Sequence, residues 1–332
     1  MPDRSTPQRA LIAAAFAWFL LGGTAGACTI NGTPLISLGS KTSFDARVAS
    51  PNAGSGSSGI TCPGAFALLS NQYIFLTVTS VSSTLTEPVS GDTIALSVST
   101  VPGGSPLAVG TSGNLAASGA LTSTGVNGEI ALFASLGAAG NVSAGTYTGT
   151  VNLRWHFATC NNILLGVCVG SWNVSAGITQ SCVLGVCTLN TGTLPGTGSP
   201  ATVTFSLTVT RDCRFDADDV DFGSAPFVES FSPVSGNVRI TCTKGTTYTA
   251  GLSGGGNSSG GRRRMASGAN RLQYDVFRPG NILWSTTLRA AQTTPAAGNT
   301  PETFPYEARI YPDQPAAPLG SYSDTLIIDV TF

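Results

Sequence analysis

Alternation of apolar and polar positions is the strongest signal in this chain. In Ala201–Thr210, Val203, Phe205, Leu207 and Val209 fall on one face, with threonines and a serine between them. The last stretch, Gly320–Phe332, repeats the pattern: Leu326, Ile328, Val330 and Phe332 share a face, opposite Ile327, Asp329 and Thr331. Shorter strand signals lie at Tyr73–Thr79, Thr93–Ser99, Glu129–Phe133, Thr148–Phe157, Asn237–Thr243, Thr246–Leu252 and Leu272–Phe277. The Gly/Ser/Pro-rich segments Ser50–Gly59, Pro102–Gly113 and Gly254–Gly261 read as loops between them. No segment carries a convincing helical period, so helix is confined to a turn or so and the expected class is all-β, built as antiparallel sandwiches.

The pattern occurs twice. Gly145–Phe157 matches Gly320–Phe332 position for position: Tyr147 answers Tyr322, Thr150 answers Thr325, and Val151, Leu153, Trp155 and Phe157 answer Leu326, Ile328, Val330 and Phe332. Upstream, Ile60-Thr-Cys62 answers Ile240-Thr-Cys242, Cys28 answers Cys213, and Leu38-Gly-Ser40 answers Phe222-Gly-Ser224. Two diverged copies of one domain follow, at residues 28–210 and 211–332. The alternating segment 201–210 lies after the first copy's repeat unit, and nothing like it follows the second. The first domain therefore has one strand more after its repeat unit, and the second has none.

Residues 1–27 read as a secretory signal: Arg4 and Arg9, then the apolar run Leu11–Leu21, then Ala25-Gly-Ala27 as a cleavage site. Acylation of Cys28 is weighed against this and disfavoured by Ala25 three residues earlier. All eight cysteines follow the signal, an even number in an exported chain, so disulfides in an oxidising compartment are expected. The repeat pairs Cys28 with Cys62 and Cys213 with Cys242; the pairing of Cys160, Cys168, Cys182 and Cys187 stays open. Zinc is disfavoured, because no C-x₂-C pair is present and His156 is the only histidine. Charged residues make up 10% of the chain, against about 25% in ordinary domains. The net charge of −1 gives nucleic acid no basic face to bind.

Ala158–Pro200 has no counterpart in the second copy. Its cysteines bracket apolar residues where loop is expected: Ile163, Leu164, Leu165 and Val167, then Val183, Leu184 and Val186. They either plug the end of the sandwich or form pinned, exposed contact loops. For the second reading, Phe66, Leu68 and Leu69 are a third candidate group. Arg262-Arg-Arg264 reads as a solvated turn rather than an anion site, and Asp216, Asp218, Asp219 and Asp221 as polar positions flanking a strand, since the EF-hand glycine and glutamate are missing. Catalysis would have to be built on His156, which the alternation turns away from the Val151/Leu153/Trp155 face, so no enzyme, cofactor or metal is expected.

Residues 213–332 resemble the spore coat U domain of archaic (Csu-type) chaperone–usher pili. The resemblance rests on Cys213, Asp221-Phe-Gly223, Val238-Arg-Ile-Thr-Cys-Thr243 with Gly245, Tyr248, Arg264-Met265, Leu272–Phe277, Trp284 and the terminal Gly320–Thr325 motif. In the first copy, only Cys28, Ile60–Cys62 and Gly145–Phe157 carry it. It implies immunoglobulin-like pilin sandwiches, the second lacking its last strand. That strand comes first from a periplasmic chaperone, at an outer-membrane usher, and then from an adjacent pilin. Leu326, Ile328, Val330 and Phe332 would border the accepting groove, and Val203, Phe205, Leu207 and Val209 would be the internal closing strand. A chain whose donor segment is spent internally accepts a strand without giving one. The expected function is thus a fimbrial tip adhesin at the cell surface, holding a surface or host ligand and supporting biofilm. A secreted coat or matrix protein is the alternative.

Overall fold

The structure is a computed structural model that describes residues 28–62, 66–68, 73–110, 112–114, 121–122, 126–160, 162–164, 167–168, 170–190, 194 and 196–332. The signal segment and Leu69 and Leu165 lie outside the described residues. The regular structure of the described residues is nearly all strand, with single 3₁₀ turns at Asp45–Arg47 and Val228–Ser230, which occupy equivalent places in the two copies. Two large apolar cores form, one from residues between Ile36 and Val209 and one from residues between Val228 and Ile310, with a third, smaller one in the segment after Phe157.

The first sandwich has one face in the order Thr29–Gly32, Ser50–Cys62, Val126–Leu136, Thr93–Ser99, and the short strand Thr84–Thr86 joins this to a second face. On that second face the 16-residue strand Gly145–Cys160 lies between Tyr73–Val81 and the closing strand Ser199–Thr210. The second sandwich repeats the first face as Cys213–Ala217, Val234–Cys242, Glu302–Ile310, Asn270–Arg278 and Arg263–Ser267. Its second face holds only Ala290–Ala291, Thr249–Leu252 and the terminal strand Ile328–Thr331.

Ser50–Gly59 is not a loop. It belongs to a 13-residue strand, Ser50–Cys62. Small residues are there to give room: a Cβ on Gly54 would stand 2.8 Å from Leu38 Cδ2, and one on Gly56 2.7 Å from Ile36 Cγ1. Composition signalled flexibility where the packing required absence of side chain. The arginine run is corrected too, since Arg263–Ser267 is a strand. Arg263 is buried and donates to Asp275 at 2.9 Å and to the carbonyls of Ser253, Leu252 and Trp284 at 2.7, 3.1 and 2.6 Å. Arg262 pairs with Asp313 and stacks 3.7 Å over Tyr311, while Arg264 donates to Asn257. The acidic cluster flanks the strand Cys213–Ala217, where Asp216 and Asp218 hold Arg239 at 3.1 and 2.8 Å.

Four disulfides are present among the described residues: Cys28–Cys62, Cys160–Cys168, Cys182–Cys187 and Cys213–Cys242, with no free cysteine. This usage fits an oxidising compartment. The Cys28 sulfur is bonded to Cys62 and so is not available for acylation.

The sandwiches meet over a polar junction. Asp92 of the first receives Lys244 of the second at 2.5 Å, Ser43 and Thr243 share a buried hydrogen bond of 2.7 Å, and Phe44 is stacked between Arg47 and Arg214.

Candidate functional site: an open groove and an apolar tip

The closing strand occupies a slot in the first sandwich. It runs antiparallel to Gly145–Trp155 on one side and parallel to Leu35–Thr42 on the other. Val203, Phe205, Leu207 and Val209 are each 2% exposed or less, so the alternating face seen in the sequence is fully used. The neighbours it covers, Ile36 and Leu38, are buried as well. Both backbone edges of the inserted strand are paired, which supplies hydrogen bonds along its length as well as apolar contact.

The equivalent slot in the second sandwich is open. The terminal strand pairs with Thr249–Leu252 alone, where its counterpart Gly145–Cys160 is paired on both flanks. One-sided pairing also explains why the strand spans only Ile328–Thr331, plus a single bridge from Ser323 to Ala266, rather than all of Ser323–Phe332. On the far side of the slot, Val220 and Phe222 answer Ile36 and Leu38. Val220 is 36% exposed, and no strand forms there. Between these edges lies a cleft of about 450 Å³, floored by Val238, Val276 and Trp284 and bordered by Leu326 and Ile328. Leu326, Ile328 and Val330 are half-buried, alternating with exposed Thr325, Ile327 and Asp329; Phe332 is 51% exposed. Val238, Val276 and Trp284 are themselves buried, so what the slot leaves open is the unpaired strand edge and its half-buried apolar border, a site of aggregation unless something covers it.

In the first sandwich the insertion forms its own small core, from Ala158, Trp172, Ile178 and the Cys160–Cys168 bridge. Above this core rises the hairpin Thr179–Val183/Val186–Asn190, with Cys182 bonded to Cys187 across its strands. Its turn is Leu184-Gly185, both at positive φ, as a two-residue hairpin turn requires, and a β-turn of this hand disfavours leucine. Leu184 is 100% exposed and Val183 69%, so the tip presents apolar side chains to solvent in a conformation that costs energy. Val186 is 45% exposed. The backbone brings the other candidate segments to the same region. Asn162–Leu164 pairs with Phe66–Leu68 and with Val167–Cys168, and Gly170 donates to Gly185 at the hairpin turn.

His156, taken from the sequence as an outward residue, is in fact completely buried. The lead-in to the closing strand crosses over it: Thr197 Oγ1 lies 3.1 Å from Nε2, and a Cβ on Gly198, at φ +83°, would stand 2.5 Å from Nε2. Two-layer alternation misses such a strap, because it arrives from a segment over forty residues on.

Residues 199–329 match the Spore Coat Protein U domain family. That span includes the closing strand, which folds into the preceding sandwich. No curated protein is significantly similar in sequence. Among solved structures, the CsuC-CsuE chaperone–tip subunit pre-assembly complex from archaic Csu pili of Acinetobacter baumannii aligns at a TM-score of 0.55 and 23% identity, over 92% of this chain and 100% of the other. The CupB6 tip adhesin from Pseudomonas aeruginosa (TM-score 0.32, 12% identity, 92% and 95% covered) and the CooA pilin subunit from enterotoxigenic Escherichia coli (0.29, 12%, 55% and 99%) are more distant; the fold argument rests on the first alone. Residues 199–329 are thus similar to the spore coat protein U domain, in a chain that shares the all-β fold of the Csu structure.

Proposed function

We propose that this protein is the tip adhesin subunit of an archaic-type chaperone–usher pilus. The observation that carries the reading is the contrast between the two slots: the first is filled by the chain's own segment Ser199–Thr210, and the second is empty. In an ordinary pilin the segment before the U domain is donated to a neighbour. Here it is already spent, so the chain accepts a strand at its second sandwich and offers none from that segment. The incoming strand belongs first to a periplasmic chaperone, at the outer-membrane usher, and then to the adjacent pilin. The subunit is thereby exported through the periplasm to the fimbrial tip at the cell surface. A free coat or matrix protein has no use for an unfilled groove of this kind.

Attachment is assigned to the first sandwich's apolar end, with the hairpin tip Val183, Leu184 and Val186 as principal contact and the segments Asn162–Leu164, Val167–Cys168 and Phe66–Leu68 contributing beside it. Burial of one such side chain stabilises contact by about 1.5–3 kcal/mol, and many fibres per cell multiply the effect. The ligand is an apolar surface, and such contact supports biofilm. Serine at Val183, Leu184 and Val186 is expected to leave fibres assembled, seen by microscopy, while attachment to polystyrene drops at least tenfold. Undiminished attachment by that variant would remove the tip from the site.

A further inference from the structure

The filled groove of the first sandwich is a template for the empty one, and at one subsite the two differ in chemistry. Phe205 of the closing strand pairs with Gly149. There a Cβ on Gly149 would meet the Thr84 carbonyl oxygen at 2.9 Å, Leu85 Cδ2 at 3.0 Å and Leu96 Cδ2 at 3.1 Å, so the site is tight and the side chains around it are apolar. In the repeat, Tyr147 and Thr150 answer Tyr322 and Thr325, which puts Asp324 in the place of Gly149. Strand pairing fixes the neighbour as well. Thr148 bridges Thr86 as Ser323 bridges Ala266, and the adjoining hairpins pair Leu85 with Ile94 as they pair Met265 with Leu272. Two residues on, Tyr274 therefore stands where Leu96 stands.

The replacements act together. Tyr274 donates its hydroxyl to Asp324 Oδ2 at 2.9 Å, and Asp324 Oδ1 accepts from the Gly256 and Thr325 amides at 2.9 and 3.0 Å. Gly255 is required beside them, since a Cβ there would collide with the carboxylate. Both Asp324 and Tyr274 line the open groove. Residues directly opposite on antiparallel strands hold their Cβ atoms about 4.5–5.5 Å apart. The residue opposite Asp324 on any incoming strand must therefore sit against this carboxylate. A large apolar side chain would strip water from the charge and return no hydrogen bond.

We propose that Asp324, set by Tyr274, is a specificity determinant of the groove. It selects a strand with a small or hydrogen-bonding side chain at this register and rejects one with a bulky apolar side chain there. The rejected class includes the closing strand of a second copy of this chain, with Phe205 at that place, so the groove is guarded against filling by self-association. The proposal rests on the strand-accepting reading above.

Its test uses the full-length chain and two fluorescent ten-residue peptides, one with the sequence of Ala201–Thr210 and one carrying Phe205→Thr, with binding read by anisotropy. The native chain is expected to hold the Phe205→Thr peptide about tenfold or more tighter, and an Asp324→Gly chain to lose or reverse that preference. Where Asp324→Gly does not fold, Asp324→Asn replaces it and is expected to narrow the gap. Equal binding of the two peptides by the native chain, or preference for the phenylalanine peptide, overturns the role of Asp324 while leaving the groove reading intact. No binding by either peptide overturns both.

Discussion

His156 illustrates how a single side chain changes meaning when its cover is known. Burial under the strap holds its imidazole below the ordinary value of 6.5, partly opposed by the carbonyls of Leu194 and Thr197 and reinforced by the charge of Arg154. Its Nδ1 is buried with no hydrogen-bond partner among the described residues. The folded value lies below the unfolded one, so between them the unfolded chain binds the proton more readily. The stabilisation is complete above about pH 6.5 and is lost as pH falls through the folded value. We expect the unfolding midpoint of the first sandwich to drop between pH 6.5 and 5, and a His156→Gln variant to drop less over that interval. Equal pH dependence in the two proteins would show that the strap does not feel this charge. Arg263 makes the parallel point from the other sign. It belongs to an arginine run that reads as a solvated turn, yet strand register turns it inward to Asp275 and three carbonyls.

Strands whose apolar face met a single core were legible in the sequence; strands defined by what they make room for were not. Thr93–Ser99 and Ser199–Thr210 alternate strictly, and the structure buries the even set of one and the odd set of the other. Ser50–Cys62 carries almost no apolar residue in its first half, because Ile36 and Leu38 fill the space above Gly54 and Gly56. The internal repeat located the slot on the second sandwich, but the polar subsite in it needed the pairing of Tyr274 with Asp324, which no spacing announces. The closing strand's energetic weight is testable on its own. Phe205→Ala removes a fully buried aromatic and is expected to destabilise the first sandwich by about 3–5 kcal/mol, with the second sandwich unchanged. Chemical denaturation followed by the fluorescence of Trp155 and Trp284, compared in single-tryptophan variants, separates the two. A loss below about 1 kcal/mol would mean the strand is ornamental to that core.

For the molecule as a whole, the two sandwiches are asymmetric by one strand and are held in a defined relation by the junction at Phe44, Asp92 and Lys244. Burial opposes ionisation of Asp92, yet the Lys244 and Ser143 hydrogen bonds prevail and hold its carboxyl below the usual range, so this contact persists through neutral pH. The apolar hairpin belongs to the filled sandwich and the open groove to the other. One slot is filled in cis and its twin is free. Amide hydrogen exchange on the full-length chain reads both at once. Without added peptide, residues 201–210 are predicted to be strongly protected and the amides of residues 322–331 that face the slot to exchange rapidly. A saturating alternating peptide with threonine opposite Asp324 should slow exchange at those amides by at least a hundredfold and leave 201–210 unaffected. Strong protection of the slot-facing amides in the free chain, or loss of protection at 201–210 when the peptide binds, would contradict this arrangement.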